Sequence, residues 1–273
     1  MRAAVVAVAV LVAATAAGGA AAAGCAQPLY LTFDTGHMGV APLVADVLRR
    51  QDVKVTFFLA NEKTLDGGGS LDAAWAPWWQ ARAAEGHVFG SHTFDHVYWR
   101  ADRADRADRA EGGFDVRPSA GPQAGVTRAM TAAQYCAELA RPAARLAEIT
   151  GRPAMAALFR APGGKTSPAL LAAASRCGWT HVGWSPAGFL GDELPSERFS
   201  NDGLLRKALR DVRPGDILLA HLGIWSRQDA WAPAVLEPLI LGLKARGHCF
   251  ATLAEHPTLG AAARRPAPTT VSP

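Results

Sequence analysis

Apolar and polar positions along the chain follow a repeating strand-then-helix order. Seven continuous apolar runs predict buried strands at 28–34, 53–60, 87–91, 155–160, 179–184, 215–221 and 248–253. Between them, apolar positions at helical spacing predict helices over 41–51, 73–84, 131–149, 167–176, 202–212 and 231–246. Repeated strand–helix units are typical of a parallel sheet, and runs without polar alternation indicate strands buried on both faces. The pattern therefore predicts an α/β fold, with a barrel of about seven parallel strands favoured over an open sheet.

Three stretches break this pattern. Residues 101–110 read ADRADRADRA, in which aspartates precede arginines by four positions, and this spacing predicts a solvated helix in a surface insertion. Residues 111–128 are rich in Gly and Pro and predict a loop. The last stretch, 261–273, predicts a disordered tail, so we place the folded domain at 24–260.

The first residues have the composition of an export signal. Arg2 precedes an uncharged Ala/Val/Leu run that extends to Ala17, and small residues follow. This order predicts a signal peptide over 1–23 and an exported, periplasmic or secreted, protein. Two alternatives are a buried N-terminal helix and a lipid anchor on Cys25. No second stretch is long and apolar enough to predict a transmembrane span.

Composition and charge narrow the class of protein. The chain has 273 residues and is 49% hydrophobic, which suits one large globular domain with a real core, and we expect a monomer. A net charge of +4 is too small to indicate nucleic-acid binding.

Four cysteines permit two disulfides in an exported protein. Cys25 precedes the first predicted strand and Cys249 opens the last, so a closing barrel would bring these two together. Cys136 and Cys177 lie on predicted helices, where a second disulfide and buried free thiols are both open interpretations.

Polar side chains follow four of the predicted strands directly. Asp34 ends the first, His92 and His96 follow the third, Arg160 follows the fourth and His221 ends the sixth. Because the carboxyl ends of barrel strands converge on one rim, we expect these five side chains to lie together there.

The chemistry of such a rim can be derived from the residue types. Two neutral imidazoles four positions apart can hold Zn²⁺, which would polarise a carbonyl and lower the pKa of a bound water. Asp34 would take the proton of that water, with Arg160 keeping its carboxylate ionised, and His221 would protonate the leaving group. This set predicts metal-assisted hydrolysis of an amide or ester. An acyl-enzyme route has little support, because the chain offers no nucleophilic Ser or Cys in a suitable motif.

The same residues resemble the NodB-like polysaccharide deacetylases, of the carbohydrate esterase family 4 type. TFDT at Thr32–Thr35, HTFDH at His92–His96, RAPGG from Arg160 and LAH at Leu219–His221 resemble four of the five family motifs, in order. KARGHCFATLAEH resembles the closing helix and strand, so the resemblance covers about 28–256. It implies a distorted (β/α) barrel and hydrolysis of N- or O-linked acetyl groups on a polysaccharide or peptidoglycan-type glycan.

The resemblance also implies a role for each of the five residues. Asp34 matches the catalytic base, His92 and His96 match ligands of a divalent metal, for which we expect zinc, Arg160 matches the residue that holds the base, and His221 matches the catalytic acid.

The first motif departs from the family pattern at Thr35, where the family usually has a second Asp that binds the metal. A Thr hydroxyl is a poor ligand for a dication. We therefore consider His37 and Thr35 as alternative third ligands, and also Asp34 itself or a water molecule.

The fourth motif departs as well. The family commonly has an Asp there that tunes the acid histidine, whereas the matching stretch WSPAGFLGDE has Ala187 near that place and its next carboxylate at Asp192. The two departures keep altered metal use, a shifted substrate and lost activity open.

Substrate contacts are expected from residues next to the motifs. Trp99, Pro162 and Trp225 are the candidates. The two tryptophans are chosen because aromatic faces near a cleft suit sugar rings; core or loop packing is the alternative for them.

Three functions remain open at this level. The first is an exported, metal-dependent glycan deacetylase. The second is a catalytically impaired glycan-binding protein on the same fold, favoured by Thr35 and disfavoured by the retained acid and base. The third is a non-glycan amide hydrolase, since one fold hosts many reactions.

Overall fold

The computed structural model describes residues 25–103 and 112–268. The predicted signal peptide and most of the ADR repeat lie outside the described residues. The strands are β1 Pro28–Asp34, β2 Thr56–Leu59, β3 Val88–Ser91, β4 Val97–Arg103, β5 Gly113–Pro118, β6 Arg128–Thr131, β7 Leu158–Phe159, β8 Thr180–His181, β9 Ile217–His221 and β10 Cys249–Phe250. The helices are α1 Ala41–Arg50, α2 Ala76–Ala84, α3 Ala132–Thr150, α4 Pro168–Arg176, α5 Asn201–Asp211, α6 Trp231–Ala234, α7 Leu236–Lys244 and α8 Gly260–Ala263.

Seven strands form a curled parallel sheet, which confirms the predicted α/β fold. Their order is β10-β1-β2-β3-β7-β8, and β9 also pairs with β1. Asp34 lies in register with Phe58 of β2 and with His221 of β9. Between β8 and β9, the described chain has an isolated parallel bridge from Phe189, in the segment after β8, to Leu219 of β9, so the curled sheet is an incomplete barrel. The result is a distorted barrel whose strand ends share one rim.

Strand alternation divides the apolar residues between two faces of the sheet. Leu29, Leu31 and Phe33 of β1 pack in the larger core with the helices, whereas Tyr30 packs with Phe58 in a smaller cluster. Both faces are covered, so β1 is buried along nearly its whole length. This double burial explains why the strands read as continuous apolar runs in the sequence.

The predictions for 101–128 were partly wrong in the described part: the predicted loop holds for 119–127, whereas 113–118, Arg128 and the predicted helix at 101–103 are strand. Strands β4, β5 and β6 form a separate antiparallel sheet. Phe114 and Val116 are buried at alternate positions of β5, a period-two signal masked by the surrounding Gly and Pro. Arg103 of β4 forms an ion pair with Asp115 of the neighbouring strand β5 at 2.6 Å. At this arginine of the repeat, the ion pair therefore joins two strands and does not lie within a helix.

The predicted disordered tail was wrong as far as residue 268. Helix α8 is followed by a chain that donates and accepts hydrogen bonds with the entry to β7: Ala157 N donates to Arg265 O and Ala267 N donates to Met155 O, both at 2.9 Å. Residues 269–273 lie outside the described part.

Both possible disulfides are formed. Cys25 bonds to Cys249 and Cys136 bonds to Cys177, with Cα–Cα distances of 6.1 and 6.3 Å. The first ties the start of the described chain to β10, and the second ties α3 to the end of α4. Cys25, the residue considered for a lipid anchor, is held in the first of these disulfides. Within 25–103 and 112–268, no helix has the length and apolar character needed to cross a bilayer.

Candidate active site

Asp34 and Arg160 form a buried ion pair at the centre of the rim. Asp34 is the last residue of β1 and is 3% exposed, and its Oδ1 accepts a hydrogen bond from Arg160 Nη1 at 2.8 Å. The guanidinium is fully buried and also donates to the carbonyls of Val182 and Gly183. Burial alone would raise the pKa of Asp34, but the adjacent Arg160 holds it below its usual range. The carboxylate is therefore ionised and fixed in orientation at neutral pH.

The Nε2 atom of His92 faces Asp34 and carries no proton. Its Nδ1 lies 2.9 Å from the carbonyl oxygen of Arg160, so Nδ1 carries the proton and donates there. Nε2 then presents its lone pair, 3.4 Å from Asp34 Oδ2. Burial lowers the pKa of His92 to about 4, which keeps the ring neutral at physiological pH. A neutral ring oriented by a carbonyl is the form in which histidine binds metals.

His96 lies beside His92 because the intervening chain forms a tight turn rather than a helix. The ring centroids are 4.8 Å apart, and His96 Nδ1 lies 2.5 Å from Ser119 Oγ. Thr93 and His96 both have positive φ, +57° and +48°, an unfavourable conformation for residues other than glycine. The turn is held by Val97 N donating to Thr93 Oγ1 at 2.7 Å and by Asp95 N donating to the Glu138 carboxylate at 2.9 Å.

His221 is paired with a carboxylate that the sequence analysis did not assign. Its Nδ1 lies 3.0 Å from Asp192 Oδ1, and its backbone N donates to Asp192 Oδ2 at 2.6 Å. Burial alone would lower the pKa of His221, but Asp192 outweighs it and raises that pKa to about 9. Asp192, five residues beyond Ala187, thus places a carboxylate beside His221. The imidazolium that can donate a proton is present at neutral pH.

The hydroxyl of Thr35 already makes two hydrogen bonds, neither of them to a histidine. Its Oγ1 accepts from the backbone N of Ala60 at 3.1 Å and donates to Glu62 Oε2 at 2.6 Å. Burial alone would raise the pKa of Glu62, but the His96 imidazole and the Thr35 hydroxyl hold it below its usual range. Glu62 was missed by the sequence analysis, although it follows the second apolar run by the same rule that selected the other rim residues.

His37 lies on the other side of the rim. Its Nδ1 accepts from the backbone N of Gly39 at 3.0 Å, and its ring meets the Trp225 indole edge-on at 5.0 Å. His37 thus contacts its own loop through Gly39 and the loop after β9 through Trp225, and its role as third ligand stays a prediction.

The three proposed substrate contacts occupy different environments. Trp225 is 62% exposed beside a cleft of about 360 Å³ that His37, Asp192 and His221 also line. Trp99 is half-buried against the core and its indole Nε1 donates to Asp102, and its contact with substrate stays a prediction. Pro162 is buried at the start of the RAPGG turn.

Two further aromatic residues, Tyr98 and Trp184, flank the glycines of the RAPGG turn. A Cβ on Gly163 would lie 2.8 Å from the Tyr98 ring, and one on Gly164 would lie 2.5 Å from Trp184. Tyr98 meets His96 edge-on, with ring centroids 4.8 Å apart. The glycines therefore permit close packing of the aromatic wall next to the histidines.

The side chains at the rim include the ligand types that suit a divalent cation, but they are not arranged around a single point. Within the described residues, no group of three or more His, Cys, Asp or Glu side chains is arranged as a metal site. The imidazoles of His92 and His96 and the carboxylates of Asp34 and Glu62 nevertheless provide the ligand types that Zn²⁺ takes.

Comparisons with known proteins agree with this fold. The polysaccharide deacetylase family model matches residues 22–182, which include Asp34, His92, His96 and Arg160. The chitooligosaccharide deacetylase of Azorhizobium caulinodans is 27% identical over 82% of this chain and 92% of its own length. The peptidoglycan-N-acetylmuramic acid deacetylase of Bacillus subtilis is 27% identical over 83% of this chain and 70% of its own length.

A solved structure is similar over nearly the whole chain. The family 4 acetyl xylan esterase of Clostridium thermocellum, in complex with a cobalt ion, superposes with a TM-score of 0.62 at 22% identity, covering 90% of this chain and 97% of that one. The family match and the shared fold confirm the predicted family: the chain belongs to the polysaccharide deacetylases.

Proposed function

We propose that the protein is an exported, metal-dependent deacetylase that removes N- or O-linked acetyl groups from a glycan. The observation that carries this proposal is the pairing of an ionised Asp34 with a protonated His221 at registered positions of adjacent strands, next to the neutral ring of His92 and the ring of His96. Base and acid thus stand in opposite protonation states at the same pH, as general acid–base hydrolysis requires.

His92 and His96 would hold the metal, which when bound supplies positive charge that polarises the acyl carbonyl and makes water more acidic. Asp34 accepts the proton of the attacking water, and Arg160 keeps that carboxylate aimed into the rim by its 2.8 Å hydrogen bond. The water oxygen bonds to the acyl carbon. As the carbon–nitrogen or carbon–oxygen bond breaks, His221 delivers its Nε2 proton to the leaving amine or alcohol, and acetate is released.

The cleft beside His221 is the proposed glycan site. Trp225 presents an exposed indole at its edge, and a flat apolar face of this kind can stack on a sugar ring. The relatives that act on chitooligosaccharide and peptidoglycan support an acetylated aminosugar polymer as the substrate class. Two disulfides support export, because disulfides persist in oxidising compartments.

The experiment is acetate release from acetylated chitooligosaccharide, peptidoglycan and xylan, with the metal content of the purified protein measured in parallel. We expect a divalent metal to co-purify, activity to fall on chelation and to return with Zn²⁺ or Co²⁺, and Asp34→Asn to lower kcat by about a hundredfold or more. Full activity after exhaustive chelation would refute the metal mechanism.

A second candidate is a glycan-binding protein of the same fold with impaired catalysis. Thr35 favours it, because no carboxylate follows Asp34 directly on the chain. This candidate predicts retained glycan affinity with no acetate release by the wild type under any metal condition.

A further inference from the structure

The carboxylate of Glu62 lies at the rim beside Thr35 and His96. Glu62 lies three residues beyond the end of β2, the strand that pairs with β1 at Asp34. Its Oε2 accepts the Thr35 hydroxyl proton at 2.6 Å, and its Oε1 lies 3.9 Å from His96 Nδ1. The side chain is only 19% exposed. A carboxylate from the neighbouring strand loop therefore stands directly beside Thr35.

The backbone around Glu62 is fixed by hydrogen bonds on both sides. Its N donates to Ser70 Oγ at 3.2 Å, and its carbonyl accepts from Ser70 N at 2.8 Å. Asn61 N donates to the carbonyl of Phe94, within the turn that carries His96, at 2.7 Å. This mutual anchoring holds the Glu62 loop and the histidine turn at a fixed separation.

Thr35 is fully engaged as a positioning group. Its hydroxyl takes the Ala60 amide as donor and gives its own proton to Glu62. A hydroxyl that donates to a carboxylate leaves that carboxylate's other oxygen and remaining lone pairs free for a cation. Thr35 thus orients the Glu62 carboxylate.

The charges at the rim leave Glu62 without a matched cation. Arg160 pairs with Asp34 at 2.8 Å, and the protonated His221 pairs with Asp192 at 3.0 Å. In the described part of the chain, His96 is the single basic side chain within 4 Å of the Glu62 carboxylate. Removing a carboxylate from water without a countercharge is costly, so a bound dication would satisfy this site.

We propose that Glu62 is the anionic ligand that joins His92 and His96 in holding the divalent metal, with Thr35 orienting it as a positioning residue. The inference rests on the metal-dependent function proposed above. The negative charge that Thr35 cannot supply would then come from Glu62, in the loop after β2. His37 need not bind the metal.

The test measures metal affinity directly, by titrating metal-free full-length protein with Co²⁺ and following visible absorbance and calorimetric heat. Glu62→Gln keeps the size of the side chain and an oxygen that can accept from Thr35, but removes the charge. We expect at least a tenfold loss of Co²⁺ affinity, because an anionic ligand offsets the charge of a dication. Glu193→Gln is the matched control. It removes a carboxylate of the same rim, 3.9 Å from His221 Nε2, and should leave Co²⁺ affinity within about twofold of wild type.

Thr35 variants test the positioning role. Thr35→Ser keeps the hydroxyl and should bind Co²⁺ like wild type, whereas Thr35→Val should bind more weakly. Thr35→Val should add little to Glu62→Gln in the double variant, because both changes disturb one contact. Thr35→Asp placed in the Glu62→Gln background should restore affinity by returning a carboxylate from the end of β1.

His92→Ala separates this inference from the proposed function. Loss of Co²⁺ binding in His92→Ala together with wild-type affinity in Glu62→Gln would overturn the Glu62 assignment alone. Wild-type protein that binds no Co²⁺ or Zn²⁺, or His92→Ala protein that binds as wild type, would overturn both. Thermal unfolding of each variant checks that the affinities are those of folded protein.

Discussion

Asp192 should control the pH at which His221, the proposed catalytic acid, loses its proton. Burial opposes the charged form of His221, yet the Asp192 carboxylate at 3.0 Å raises its pKa from 6.5 to about 9. In Asp192→Asn the negative charge is lost, while an oxygen remains to accept from the His221 amide. We expect the pKa of His221 to fall from about 9 to near its ordinary value of 6.5, because the remaining carboxylates of Asp34 and Glu193 still oppose the effect of burial.

The magnitude follows from these two values. At pH 7.5, a pKa of about 9 leaves about 97% of His221 protonated, whereas a value near 6.5 leaves about 10%. The variant should therefore lose about tenfold in kcat/KM at pH 7.5. It should recover most of this loss at pH 5.5, because Asp34 remains ionised there.

The raised pKa of His221 also predicts how the stability of the folded protein depends on pH. His221 has a folded-state pKa above its unfolded value, so its contribution is fully present below pH 6.5 and disappears as the pH rises through 9. That contribution is on the order of 3 kcal/mol. Urea unfolding of the wild type should show the decline between these pH values, and Asp192→Asn should lack most of it.

The assay is the pH profile of acetate release from pH 5 to 10, on the same glycan for each variant. Glu193→Gln serves as the control, because Glu193 is 45% exposed and 3.9 Å from His221 Nε2, so solvent screens its charge. It should move the basic limb far less than Asp192→Asn. The reasoning is refuted if Asp192→Asn retains the wild-type basic limb, or if it loses the same factor of activity at every pH.

Three other variants test the buried ion pair, the proposed glycan site and one disulfide. Arg160→Met should lower the free energy of unfolding by about 3–5 kcal/mol, since it leaves Asp34 buried without its partner; a loss below about 1 kcal/mol in urea unfolding would contradict this ion-pair assignment. Trp225→Ala should raise KM severalfold with kcat nearly unchanged if the indole stacks on the glycan, and an unchanged KM would remove it from the site. Replacing Cys25 and Cys249 together by Ser should cost about 2–5 kcal/mol because the bond closes a loop of 224 residues, and wild-type thermal stability of that variant would show the crosslink to be dispensable.

The sequence by itself determined the parallel strand–helix order and the residues at the rim. Doubly buried strands produce uninterrupted apolar runs, so the pattern located all seven strands of the main sheet, although several proved shorter than the runs. Polar residues directly after such runs can only lie at the strand ends, which is why Asp34, Arg160 and His221 were identified together.

Only the tertiary structure showed which side chains complete the rim. Glu62 and Asp192 lie 27 and 29 residues from Thr35 and His221, and their hydrogen bonds depend on how separate loops pack. Local patterns carry no information on such distances. For the same reason the motif comparison looked for a carboxylate near Ala187 and missed the partner at Asp192.

The local errors have a related cause. The period-two burial of β5 is too short to outweigh its Gly/Pro surroundings, and the chain after α8 is ordered by backbone hydrogen bonds to the entry of β7 rather than by its own composition. The sequence determined the fold and the chemical inventory of the site, because burial and strand ends leave a periodic signal. Pairing between distant loops leaves no such signal, so the partners of Thr35 and His221 were decided by the packing of the folded chain.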